Sequence, residues 1–136
     1  MEILPGLRAD KTILVEERHT AAHLGSGGVP VYATPSMALH MEETARSVVE
    51  SLLGPGRATV GSSLSISHLA PTPQGMEVRI SAELVRVDGR ALHFKLEARD
   101  AVELVGEAEH VRFIIDLDRF AARLAKKIQA AGEGGR

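Results

Sequence analysis

The stretch Val31–Leu53, VYATPSMALHMEETARSVVESLL, constrains this chain most. Ala38, Met41, Ala45, Val48, Val49 and Leu52 recur at the spacing of an amphipathic helix with one buried face. Thr34 reads as the N-cap, and Pro35 as the first helical residue, where its missing N–H costs nothing. Gly54-Pro55-Gly56 ends the helix. Glu43, Arg46 and Glu50 fall on the wet face. Glu42 does not: at 100° per residue it lies roughly 80° from the centre of the stripe, at the edge of the buried face.

After this helix the apolar period changes to two. Val60, Ser62, Leu64, Ile66, His68 and Ala70 predict the buried face of a strand over 60–70. Pro71-Thr72-Pro73-Gln74-Gly75 turns the chain. Met76, Val78, Ile80, Ala82 and Leu84 mark a second strand, Asp88-Gly89 a two-residue hairpin, and Leu92, Phe94, Leu96 and Ala98 a third. Asp100 to Glu103 is a turn before a last strand, Leu104 to Ile115, with Gly106 and Ala108 keeping one face shallow. A final helix over about 117–130 is capped by Asp116 or Asp118 and striped by Phe120, Ala121, Leu124 and Ile128. Ahead of the long helix, residues 1–8 read as a loose lead-in and Thr12 to Val15 as a short first strand. His19 to Pro30, with three glycines, reads as a loop. One domain over 1–136, with a core over about 10–116, follows. Hairpin connections make the pairing antiparallel, and one long helix must bury its stripe. A curved antiparallel sheet wrapped around a central helix is the α+β hotdog fold.

Composition removes several functions. A net charge of −2 with both signs interspersed and no basic stripe argues against nucleic acid. Absence of cysteine excludes disulfides, thiolate catalysis and Cys-ligated zinc. His19 and His23 stand at helical spacing, but no carboxylate completes a triad, so no metal is expected. MEILPGLRAD has neither a basic start nor a long apolar run, and no stretch suits a membrane span. A soluble cytoplasmic protein is expected.

Three polar residues break the apolar pattern. Thr34 can be only a cap. Glu42 can be only the solvated partner of Arg46 at i, i+4. His68 can be only a satisfied core histidine. Together, however, a hydroxyl, a carboxylate and an imidazole are the parts of a site that activates a nucleophile or water and moves a proton. The helix N-terminus can hold a developing oxyanion.

VYATPSMALHMEETA, followed by VGSSLSISHLAPTPQG, resembles the fluoroacetyl-CoA thioesterase branch of the hotdog thioesterases, over roughly Val31 to Phe113. The branch has a Thr opening the central helix, a Glu eight residues later, and a His on the next strand seven after a Gly. Thr34, Glu42, Gly61 and His68 match in type and spacing. The resemblance implies an acyl-CoA thioester hydrolase with Thr34, Glu42 and His68 as catalytic residues and Gly61 at the oxyanion. It implies no cofactor beyond the CoA ester substrate. It also implies a homodimer, or a higher homo-oligomer, with sites at the subunit interface. Ser36, Met37, Met41 and Leu64 are expected along the acyl path. Arg57, Arg90 and Arg112 are candidates for the CoA phosphates by charge alone, with ordinary surface arginines as the other reading. His110, in a run that looks like the family's last strand, is expected to be structural. The bulky aromatic residues that precede the helix in the fluoroacetyl-specialised enzyme are replaced here by Leu24-Gly25-Ser26-Gly27-Gly28. That argues against fluoroacetyl specificity and points to a broader or different short acyl group. A non-catalytic acyl-CoA sensor and a hotdog hydratase are the rival readings.

Overall fold

The computed structural model describes residues 2–134. In order the chain forms β1 (Arg8–Leu14), the one-turn helix α1 (Ala21–Leu24), α2 (Thr34–Val49), β2 (Arg57–His68), β3 (Glu77–Asp88), β4 (Ala91–Arg99), β5 (Leu104–Asp116) and α3 (Leu117–Gly134). One antiparallel sheet has the strand order β1-β3-β4-β5-β2, and α2 packs across its concave face. This is the hotdog layout that the change of period predicts.

The stripe of α2 is the centre of the core. Met37, Met41, Ala45 and Val49 are fully buried against Val78, Ile80, Leu84, Phe94 and Leu96. Each large apolar side chain buried this way stabilises by about 1.5–3 kcal/mol. Gly106 on β5 makes room for the helix, because a Cβ there would lie 2.5 Å from Met37 Sδ. Among the described residues, no helix is long and apolar enough to cross a membrane.

Several details differ from the sequence reading. β1 begins at Arg8, within the expected lead-in, because Arg8 and Asp10 reach across to Glu83 (2.6 Å) and Arg79 (3.0 Å) on β3. His19 to Pro30 is not all loop: Thr20 accepts from the His23 N–H and caps α1. The hairpin residues are Gly89-Arg90, one later than Asp-Gly, since Asp88 still pairs with Ala91. α3 runs beyond the expected 130, and Leu124 and Ile128 are exposed rather than packed.

The largest correction is in β2. Thr59 is buried and Gly61 faces inward, so Val60 and Ser62 are not on the core face. A bulge between Gly61 and Ser63 adds one residue, and only from Leu64 onward do the even positions turn in. Small serines fit either side of the pleat, so alternation alone does not register the switch.

Candidate active site

Thr34 is not the cap of α2. Ala33 occupies that position without a side-chain bond, and Thr34 is the first helical residue. Its hydroxyl is thereby free, and it lies 2.7 Å from His68 Nδ1 at the end of β2. Burial holds His68 below the ordinary histidine range, so it is neutral near pH 7. Its other nitrogen, Nε2, is buried and has no hydrogen-bond partner among the described residues. A neutral imidazole beside a hydroxyl can take that proton.

The first turn of α2 adds donors. Met37 makes the first intrahelical bond, to Ala33 O. Thr34 and Ser36 therefore carry backbone N–H groups without an intrahelical acceptor, and Pro35 has none to offer. The pair opens on a shallow depression of about 360 Å³ lined by Ala21, Ser26, Tyr32, Thr34, His68 and Leu69. The glycine-rich segment contributes only small side chains to it.

Glu42 is elsewhere. Eight helical residues put it about 12 Å along the axis from Thr34. Its expected partner, Arg46, instead pairs with Glu50 at 2.9 Å. Glu42 leans on Gly61, where a Cβ would lie 2.9 Å from Glu42 Oε1, 3.2 Å from His110 Cε1 and 3.5 Å from Arg112 Nη1. Any side chain at Gly61 would displace the carboxylate. Within one chain, then, Thr34 and His68 come together, while Glu42 and Gly61 form a second group near the start of β2.

That second group rests on residues the sequence underrated. Arg112 is buried, not a surface cation. Its Nε donates to Thr59 Oγ1 and its Nη2 to Thr59 O, both at 2.9 Å, and its Nη1 donates to His110 Nε2 at 3.2 Å. His110 Nδ1 donates to Ser63 O at 2.7 Å, which fixes the neutral tautomer, and burial lowers its pKa. Arg57 and Arg90 both engage Asp116, at 3.8 and 3.1 Å. Of the other named residues, Met37 and Met41 sit in the core, Leu64 is half-buried on the inward face of β2, and Ser36 lines a different cleft, beside β1. Among the described residues no three His, Asp or Glu side chains gather into a metal site. Tyr32 and His40, hydrogen-bonded to each other and buried, escaped the sequence reading. A histidine on the flank of the apolar stripe was the available signal.

The fold agrees with comparisons to known proteins. Residues 15–118 match the fluoroacetyl-CoA-specific thioesterase family. The fluoroacetyl-CoA thioesterase of Streptantibioticus cattleyicolor is 35% identical over 100 residues, covering 74% of this chain and 72% of that protein. A solved structure of a variant of the fluoroacetyl-CoA-specific thioesterase, in complex with fluoroacetate and CoA, superposes with a TM-score of 0.81. It is 31% identical and covers 87% of this chain and 99% of that one. A Thermus thermophilus thioesterase superfamily member superposes with a TM-score of 0.88 at 28% identity, covering 98% of each chain. The chain belongs to the fluoroacetyl-CoA-specific thioesterase family, and it is a thioester hydrolase of hotdog fold.

Proposed function

We propose that this protein hydrolyses a short acyl-CoA thioester to the free acid and CoA, in the cytoplasm, as a homodimer. The observation that carries the reading is the Thr34–His68 hydrogen bond, with a neutral imidazole, at the open end of α2. The attacking oxygen, the threonine hydroxyl or a water in its place, gives its proton to His68. The free N–H groups of the first turn of α2 stabilise the oxyanion. His68 returns the proton to the departing thiolate, and on the threonine route a water then attacks the acyl-threonine, with the same proton transfers, to release the acid. Leu64 borders the acyl group, with Met37 and Met41 packed behind it. The CoA substrate is supported by the relative that holds CoA. Without a bulky wall over the depression, a range of small acyl groups fits better than fluoroacetyl alone.

Glu42 and Gly61 enter through the dimer. β2 is an edge strand of twelve residues, paired on one side only. A two-fold axis perpendicular to β2 at that edge sets the two strands and the two α2 helices antiparallel, so the partner subunit's Glu42 and Gly61 approach Thr34 and His68. The 12 Å separation within one chain supports this reading. Mixing His68→Gln with Glu42→Gln protein tests it. If sites are shared, half the dimers are mixed and each has one intact site, so about a quarter of wild-type turnover returns. If each chain carries a whole site, mixing restores nothing.

A further inference from the structure

We infer that Tyr32 and His40 are positioning residues for His68, forming a buried strut that holds its ring in line with Thr34; this rests on the thioesterase reading above. A catalytic imidazole is ordinarily oriented by a group on its second ring nitrogen. Among the described residues of this chain Nε2 has no hydrogen-bond partner. Packing inside the chain is what bears on the ring here. The Tyr32 ring meets the His68 ring nearly edge-on, with centroids 6.4 Å apart and planes at 73°.

Tyr32 is itself fixed at three points. It is 1% exposed, its N–H donates to Thr72 O at 2.7 Å, and its hydroxyl bonds His40 Nδ1 at 2.5 Å. The Tyr32 and His40 rings are nearly parallel, at 13°. Burial lowers the His40 pKa to about 4, so the ring is neutral, and its Nδ1 and the tyrosine hydroxyl share one hydrogen bond. His19 backs His40 from the far side at 5.0 Å, its own Nδ1 accepting from the Glu16 N–H. The row His19, His40, Tyr32, His68 thus runs from the turn before α1, past α2, to the end of β2. It is not a proton path. The tyrosine hydroxyl points to His40, and His68 meets only the ring. A buried hydroxyl–imidazole pair also adds little to stability over apolar packing. What it supplies is one fixed orientation of Tyr32, and so of His68.

The test compares Tyr32→Phe, His40→Leu and His40→Asn. Asparagine can place a hydrogen-bonding group, donor or acceptor, near the Nδ1 position; leucine cannot. We expect Tyr32→Phe and His40→Leu to lower kcat roughly 3- to 30-fold with KM within about twofold, since small misplacements of a reacting group are expensive in rate. His40→Asn should hold kcat within about threefold. Nitrogen NMR of the imidazoles should show one tautomer of His68 in the wild type and His40→Asn, and a mixture in the other two. Unchanged kcat and an unchanged His68 spectrum in Tyr32→Phe and His40→Leu would overturn the inference. So would His40→Asn losing as much as His40→Leu. If Tyr32→Phe does not fold, the two His40 variants decide. If the wild type releases no thiol from any acyl-CoA, the thioesterase reading fails, and the His68 spectrum alone judges the strut.

Discussion

The two elements that build this site, α2 and β2, meet in two places. At one end Thr34 and His68 share a single hydrogen bond at an open surface, and a buried nitrogen of the histidine is left unpaired. Two turns along, Glu42, Gly61, His110, Arg112 and Thr59 crowd together, with His110 paired at both nitrogens. The open end has unused donors and acceptors where a reaction needs them. The closed end packs the Glu42 carboxylate against a hydrogen-bonded group. The contrast is that of a working edge and its mount.

Four experiments probe that contrast. Changing His68→Gln should cut kcat by about 10²–10⁴ while leaving the fold intact, measured by thiol release alongside a thermal melt. An unfolded variant, or one with full turnover, would erase the difference between the two ends. At the closed end the order of effects reverses. Arg112→Met leaves Thr59 and His110 Nε2 without their donor, and should cost about 2–4 kcal/mol in a urea titration. Arg112→Lys should restore little of it, because an ammonium cannot serve all three contacts in a fixed fork.

Acid should weaken the molecule through its buried histidines. His40 titrates near 4 in the folded protein instead of near 6.5, and His68 and His110 are shifted in the same direction. Between those pH values the unfolded chain takes up protons that the folded chain does not. Stability is therefore full above about pH 6.5 and declines as pH falls toward 4, by roughly 3 kcal/mol from His40. Urea midpoints at pH 7.5 and 4.5 measure this, and His40→Asn should flatten part of the slope. The smallest effect is the most discriminating. Because Thr34 is not a cap, Thr34→Ala should change stability by under about 0.5 kcal/mol, where loss of a capping side chain costs about 1 kcal/mol. Its turnover should fall all the same.

How much of this was legible follows from the range of the interactions. The α2 stripe, the hairpins and the turn at Asp100 are local patterns, and the structure has them. The acyl-CoA chemistry came from four residues in register with a known family. The cap of α2 falls one residue before Thr34, because Ala33 in an extended conformation carries it and no side chain announces it. Arg112 looked like a surface cation because its partners, Thr59 and His110, come from two different places in the chain. The switch of face in β2 was hidden by serines that suit either side. The separation of Glu42 from His68 needed three dimensions: eight residues on a helix and seven on a bulged strand cover different lengths.

The packing of α2 has a further consequence, in oxidation chemistry. The chain's only sulfur is thioether, since cysteine is absent. Met37 and Met41 are wholly buried, Met37 against the bare backbone of Gly106. Peroxide reaches exposed thioethers first, and a sulfoxide oxygen would have no room beside Gly106. Burial thus shields both methionines, Met37 also by the close contact that seats the helix, and turnover should outlast oxidation of Met76, which is only half-buried.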